Sequence, residues 1–205
     1  MSPELRTDER SKLSLGDGAS FSISRAREWH IGGFRSPDLP IVAALLRRAD
    51  SASAKCALLH SATVDFHGRA VLATGPSGCG KSTFATLMSD CAVLSDEFNL
   101  IELANGRFYA AGTPIRSKCP RPPNNLRRKL GAIIFPVKSL DSCVQRVSPA
   151  VAAARLSAQV VVLGELGSKP SLGFLARLVE SVPAYYFHFR KDSSARKLLD
   201  ELELS

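Results

Sequence analysis

The chain has 205 residues, a formal net charge of +8, 45% hydrophobic and 22% charged residues, and five scattered cysteines. This length supports one sizeable hydrophobic core, and no apolar run approaches the roughly 20 residues that span a bilayer. Because the cysteines are odd in number and never spaced as C-x-x-C, we expect neither a disulfide framework nor a zinc site. We therefore predict a globular domain of the reducing cytoplasm.

Two groups of basic residues carry much of the positive charge: Arg116, Lys118, Arg121, Arg127, Arg128 and Lys129, and then Arg190, Lys191, Arg196 and Lys197. Such a balance suits a polyanionic partner, which is a nucleic acid, an acidic protein or the phosphates of a nucleotide. A solvated basic face explains the same pattern. Since no helix-turn-helix, zinc-finger or aromatic RNA-binding signature accompanies the charge, we expect no nucleic-acid partner.

The N-terminal part divides into two predicted segments. Residues 1–20 are polar and lack periodicity, which predicts a flexible arm. Residues 21–55 form a small N-terminal element, in which Asp38 and Pro40 begin a helix with an apolar face. The remaining residues, 56–205, are predicted to form the main domain.

Residues 56–112 are predicted to form two hairpins, with a helix and a short strand between them. The runs CALLHSATVDF and RAVLATG predict a hairpin around His67–Gly68. After a helix from Lys81 to Asp90 and a short strand, CAVLS, a second hairpin of FNLIEL and RFYAA turns at Asn105–Gly106. An Asn-Gly pair between two strands is a strong signal for a type I′ turn.

The second half of the domain alternates between loops, strands and helices. Residues 113–130 are rich in proline and charge, which predicts a long loop that acts as a lid or binding segment. GAIIFPV and AYYFHF are predicted strands, and SLGFLARLVESV is a predicted amphipathic helix. A further helix is predicted from Pro149 to about Gln159. Asp192 is expected to cap a last helix that reaches Leu204. The fold class is therefore α/β, with one mixed sheet flanked by helices.

The most informative motif follows the first hairpin. It matches the phosphate-loop pattern G-x-x-x-x-G-K-[ST] at every fixed position and comprises Gly75, Pro76, Ser77, Gly78, Cys79, Gly80, Lys81, Ser82 and the adjoining Thr83. Its glycines let consecutive backbone N–H groups surround phosphate oxygens at the start of a helix. Lys81 reaches the β- and γ-phosphates, and the Ser82 hydroxyl ligates Mg²⁺. We therefore expect ATP and Mg²⁺ as ligands.

A pair of carboxylates, Asp96 and Glu97, ends the next predicted strand. They lie close to the loop in the chain, at the end of a strand where a metal ligand or a general base would sit. An ordinary acidic turn is the alternative. ABC transporter ATPases have the same phosphate-loop sequence, but their acidic pair lies much farther along the chain, after a Leu-Ser-Gly-Gly-Gln-like signature that is absent from this sequence. GTPases are disfavoured because the sequence has no Asn-Lys-x-Asp-like motif for recognising the nucleotide base.

Together, His60, Asp65, the His67–Gly68 turn, the phosphate loop and the Asp96–Glu97 pair resemble the catalytic domain of HPr kinase/phosphorylase. They are still more similar to the wider set of bacterial HPr-kinase-like serine kinases. The segments GRFYAAGTP, LGAIIF, SPAVAAARLSAQVV and ESVPAYYFHFRKD are similar to those relatives as well. The resemblance covers about residues 56–204 and implies an HPr kinase/PEP carboxykinase-like fold.

The resemblance also implies roles for individual residues. Lys81 would hold the phosphates, and Ser82 and Glu97 would hold Mg²⁺ together with Asp96. Asp96 would be the general base for the acceptor hydroxyl, although Glu97 remains an alternative base. His60 would lie close to the transferred phosphate, and a half-buried strand histidine is its structural alternative. The implied activity is ATP-dependent phosphorylation of a hydroxyl, expected to be a serine of a protein or peptide, with a small metabolite as a further option.

Some features differ from the family pattern. The second carboxylate is Glu97 where the family has aspartate, the segment before it is shorter, and the C-terminal signature used for phosphorolysis has no clear counterpart. These differences keep a second hypothesis open, a nucleotide-binding regulatory module that transfers nothing. An ABC-type ATPase fragment ranks third. Enzymes of the family are often homo-oligomers, so a homo-oligomer is open for this chain.

Overall fold

The computed structural model describes residues 56–88, 90–113, 126–161 and 172–205, together with the backbone of four short N-terminal strands. Those strands are β1 (Arg6–Thr7), β2 (Lys12–Ser14), β3 (Ser20–Ile23) and β4 (Trp29–Gly32), and they form an antiparallel sheet in chain order. Two of them lie within residues 1–20, where the sequence predicted an arm without regular structure. The helix predicted to start at Asp38 lies outside the described residues, and the boundaries at residues 20 and 55 remain predictions.

The main domain is built on an eight-stranded mixed sheet. Its strands are β5 (Cys56–Phe66), β6 (Arg69–Thr74), β7 (Ala92–Ser95), β8 (Phe98–Ala104), β9 (Arg107–Gly112), β10 (Arg127–Lys138), β11 (Cys143–Arg146) and β12 (Ala184–Phe189). The order across the sheet is β11-β12-β10-β6-β5-β8-β9, with β7 paired to β5. Strands β6, β10 and β12 run parallel, and the other pairs are antiparallel. The predicted mixed α/β class is confirmed.

Both predicted hairpin turns are present. His67 and Gly68 have φ angles of 50° and 77°, and Asn105 and Gly106 have φ angles of 50° and 72°. Positive φ at both central residues is what a type I′ turn requires. The turns place β5 beside β6 and β8 beside β9.

The predicted loop of residues 113–130 is wrong at its C-terminal end. β10 begins at Arg127 and pairs with β9 at Ala111, so β10-β6-β5-β8-β9 close into a ring of five strands. Arg127 Nε donates to Glu102 Oε2 at 2.9 Å, and Arg128 Nε donates to Asp65 Oδ2 at 2.6 Å. These distant carboxylates allow a basic run to lie in a half-buried strand. Residues 114–125, which include Arg116, Lys118 and Arg121, lie outside the described residues.

The helices of the main domain are α1 (Lys81–Leu87), α2 (Pro149–Ser157), α3 (Leu172–Ser181) and α4 (Ser194–Lys197), with a 3₁₀ turn at Leu198–Glu201. The first three confirm the predicted helices, although α1 ends before Asp90. The last helix was predicted to reach Leu204, but it changes to 3₁₀ geometry after one turn. The N-cap of α4 is Ser193, one residue after the predicted cap Asp192, whose Oδ1 accepts a hydrogen bond from the Ser194 N–H at 2.9 Å.

Two apolar layers hold the sheet between helices. Leu72 and Ile133 point to one face, where Leu156 of α2 and Leu178 of α3 cover them. Val71, Ile134 and Phe187 point to the other face, against Phe84 of α1 and Ala195 of α4. Side chains alternate along a strand, so continuous apolar runs such as AVLAT can fill both layers. This packing fixes the end of β6 and the start of α1, between which the phosphate-loop motif lies.

In the described part of the chain, no helix has both the length and the apolarity to cross a bilayer.

Candidate functional site

The phosphate-loop motif connects β6 to α1 by a sharp turn of the backbone. Gly75 and Gly80 have φ angles of 149° and 117°, which other residues rarely adopt. A Cβ atom added to Gly80 would also lie 3.2 Å from Cζ of Phe189. Glycine is therefore required at Gly80 both for backbone conformation and for close packing against β12.

Lys81, the first residue of α1, is almost completely buried, with 6% of its surface exposed. Its Nζ donates to the carbonyl oxygens of Gly75 at 2.8 Å and Pro76 at 3.1 Å. A buried ammonium needs such acceptors. The two carbonyls hold the cation beneath the loop that it follows.

His60 and Glu97 face each other from neighbouring elements. His60 lies on β5, opposite Phe98 of β8, and its Nε2 is 3.5 Å from Oε1 of Glu97. The Ser61 N–H donates to the Glu97 carbonyl oxygen at 3.0 Å, and the Thr74 hydroxyl donates to the His60 carbonyl at 3.1 Å. These bonds connect the His60 strand to the acidic turn and to the residue just before the loop.

The surroundings of His60 favour its neutral form. Burial lowers the pKa of His60 below its ordinary value of 6.5, and the Lys81 charge lowers it further, while the Glu97 carboxylate acts in the opposite direction. A neutral imidazole has one nitrogen that donates a hydrogen bond and one that accepts. His60 is therefore suited to hydrogen bonding or proton transfer near pH 7.

One cavity of about 360 Å³ brings most of the predicted site residues together. Its lining consists of His60, Ser77, Gly78, Gly80, Lys81, Ser82, Thr83, Glu97 and Lys138. Lys138, the exposed last residue of β10, was missed by the sequence analysis. Its position at the carboxyl end of a buried parallel strand is the signal that points to it, since ligands bind at the carboxyl ends of such strands.

Asp96 differs from its neighbour Glu97. Asp96 is 2% exposed and is not among the residues that line the cavity, whereas the side chain of Glu97 is 28% exposed and does line it. Both residues lie in the bend between β7 and β8, and only Glu97 of the two lines the cavity. The role of Asp96 as a base or metal ligand stays a prediction.

The donor set of the cavity fits Mg²⁺. Magnesium prefers oxygen ligands and is usually held by one or two carboxylates together with substrate phosphates and water. Ser82 and Glu97 contribute a hydroxyl and a carboxylate to one cavity. Within the described ranges, no group of three or more His, Cys, Asp and Glu side chains forms a metal site. A Mg²⁺ ion bound to Ser82 and Glu97 would take its remaining ligands from phosphates and water, as is usual for this ion.

Comparison with known proteins gives likenesses of fold among the solved structures, at low sequence identity in the example given below. No protein-family model matches this sequence, and no curated protein matches it either. Among solved structures, the fold is similar to that of the HPr(Ser) kinase/phosphatase from Coxiella burnetii, at 11% sequence identity and a TM-score of 0.39. The similarity covers 70% of this chain and 94% of the other. It is distant, and it assigns no activity and no residue.

Proposed function

We propose that this chain binds ATP with Mg²⁺ in the described cavity and transfers the γ-phosphate to a hydroxyl, expected to be a serine of a protein or peptide. One observation carries the proposal: Lys81 of the phosphate-loop motif and the facing His60–Glu97 pair line the same cavity of about 360 Å³. The sequence resemblance to HPr-kinase-like serine kinases supports it. The family itself, an HPr kinase/PEP carboxykinase-like fold, a cytoplasmic location and a homo-oligomeric state belong to the same proposal.

The phosphate end of the cavity would be formed by cations and loop amides. Lys81 Nζ already has its donors directed at the Gly75 and Pro76 carbonyls, and phosphate oxygens would replace one or both of these acceptors. Lys138 adds a second cation at the carboxyl end of β10. Since phosphoryl transfer depends mainly on alignment and charge neutralisation, two lysines that face one cavity suit this chemistry.

The acceptor end would be formed by His60 and Glu97. A hydroxyl that attacks the γ-phosphate loses its proton, so a proton acceptor must lie within hydrogen-bond reach of it. His60 and Glu97 both line the cavity and would be the acceptors for a hydroxyl bound there, while Asp96 is the base that the resemblance implies. Ser82 and Glu97 would hold Mg²⁺, which neutralises charge on the phosphates when bound.

A nucleotide-binding module without transferase activity is the second candidate. It is favoured by the burial of Asp96, because a carboxylate that is 2% exposed and does not line the cavity is not in place to accept a proton from a substrate there. In this case the cavity would still bind the nucleotide through Lys81.

A labelling experiment separates the two candidates. The purified chain is incubated with γ-labelled ATP, Mg²⁺ and an extract of the host cell, beside a Lys81→Met variant as the matched control. A kinase produces a discrete labelled band that contains phosphoserine and is absent with the control. Tight binding of MgATP without any labelled band would support the binding module.

A further inference from the structure

A buried polar cluster lies directly behind the His60–Glu97 pair. It consists of Ser61, Ser95, Asn99 and Thr113, all of which are at most 2% exposed. Three of them lie in β5, β7 and β8, and Thr113 directly follows β9. Buried polar groups are costly unless they are hydrogen-bonded, so the contacts within this cluster are informative.

Asn99 makes the central contacts of the cluster. Its Nδ2 donates to the carbonyl oxygen of Ser61 at 2.8 Å, and lies 3.0 Å from Ser61 Oγ and 3.4 Å from the carbonyl oxygen of Ser95. Carbonyl oxygens can only accept, which assigns the amide nitrogen rather than the amide oxygen to this side. One side chain thus bridges β5 and the end of β7.

The two bridged residues adjoin the residues that line the cavity. Ser61 directly follows His60, and its N–H donates to the Glu97 carbonyl oxygen at 3.0 Å. Ser95 precedes Asp96, and its Oγ accepts from the Glu97 N–H at 3.4 Å. Asn99 therefore contacts both backbone segments whose separation determines how close His60 lies to Glu97.

Stability alone explains this amide poorly. Asn99 Oδ1 is buried and has no hydrogen-bond partner in the described part of the structure. A buried acceptor left without a partner gives up its hydrogen bonds to water without replacement, which offsets much of what the Nδ2 bonds contribute. The distinctive effect of the side chain is geometric, because no apolar residue could bridge two carbonyl oxygens.

We propose that Asn99 is a positioning residue that holds His60 and Glu97 at their short separation by joining Ser61 to Ser95 behind the cavity. This inference deepens the proposed function and rests on it for its kinetic consequence. Its structural part, the coupling of Asn99 to the Ser61–Glu97 hydrogen bond, does not require that the chain transfer phosphate.

The structural part is tested by amide hydrogen exchange in an Asn99→Leu variant, which keeps a similar volume and removes the donor. The Ser61 N–H should exchange at least about tenfold faster, while the amides of residues 62–66 on the same strand keep their protection. The matched control is Thr63→Val, because Thr63 Oγ1 is buried without a hydrogen-bond partner among the described residues. If Asn99→Leu does not fold, Asn99→Ala removes the same donor.

Unchanged exchange at Ser61, or equal acceleration along the whole of β5, would overturn the proposal.

The kinetic part is a separate readout: Asn99→Leu should lower kcat at least about tenfold and leave KM for MgATP within about twofold, as expected when only the transfer geometry is lost. A parallel loss of kcat and MgATP affinity would contradict a positioning role. A wild-type chain without transferase activity would refute the proposed function, and the exchange result would still decide the role of Asn99.

Discussion

The Lys81→Met variant should bind MgATP much more weakly while folding normally. Methionine matches the length of the lysine side chain but carries no charge, and the position is 6% exposed, so the thioether is suited to the site. Nζ is bonded to two loop carbonyls at 2.8 and 3.1 Å, and under the proposed function these bonds would be exchanged for bonds to phosphate. The net difference is that of one charge-assisted hydrogen bond, roughly 1.5–3 kcal/mol. Affinity should therefore fall about 10- to 150-fold.

Isothermal titration calorimetry with a non-hydrolysable MgATP analogue measures this effect. Lys138→Met provides the matched control, since it removes the other lysine of the cavity from an exposed position and should cost less affinity. Urea unfolding of all three proteins shows whether the folds are equally stable. Equal affinity of a folded Lys81→Met variant and the wild type would refute the assignment of residues 75–83 as a phosphate-binding loop.

Three further results are expected. If Glu97 is the base, Glu97→Gln should lower the transfer rate by on the order of 10²-fold or more; if the base is the one that the resemblance implies, Asp96→Asn should have this effect. Single-turnover kinetics of both variants decide between them. Unchanged rates in both variants would show that neither carboxylate is the general base. Gly80→Ala should lower the free energy of unfolding by about 1–3 kcal/mol, which is more than Gly68→Ala should. Both variants place an alanine at a positive φ, but only the Cβ of Ala at position 80 would also lie 3.2 Å from a ring atom of Phe189. Equal losses of stability for the two variants in urea titrations would contradict this reasoning. The hydrogen bond from Arg196 lowers the pKa of Asp90, so its contribution to folding stability is present above the ordinary pKa of 3.8 and is lost as the pH falls through the lowered pKa. Asp90→Asn should therefore lower the free energy of unfolding by at most about 1 kcal/mol at pH 7. A difference in stability between variant and wild type that persists in unfolding titrations at about pH 2 would contradict the pairing.

Local sequence signals predicted the elements that depend on local physics. The hairpins at His67–Gly68 and Asn105–Gly106 follow from residues that tolerate positive φ. The helix that starts at Pro149 follows from a proline at its first position. These features need no information from distant parts of the chain.

Features that depend on distant partners could not be predicted in the same way. Arg127 and Arg128 lie in a strand because Glu102 and Asp65, far away in sequence, accept their hydrogen bonds. Strand β11 is a short, partly exposed strand that pairs with β12, and its sequence carries no strong alternation. In both cases tertiary pairing outweighs the local pattern.

Most residues that line the candidate cavity could be named from the sequence, whereas their geometry could not. The spacing of His60, Lys81 and Glu97 along the chain suggested that they would lie near one another, and they line one cavity. The same spacing does not reveal that Asp96 is buried while Glu97 is accessible, since the outcome depends on how the strand end is oriented. Nor does it reveal the contacts of Asn99, which arise only when β5, β7 and β8 come together.

A crystal structure of the chain with a non-hydrolysable MgATP analogue would test the central proposal most directly. The account predicts that the β- and γ-phosphates lie on residues 75–83 within hydrogen-bond distance of Lys81 Nζ, with the γ-phosphate facing His60 and Glu97. An analogue bound elsewhere, or bound to the loop with its γ-phosphate directed away from His60 and Glu97, would contradict it.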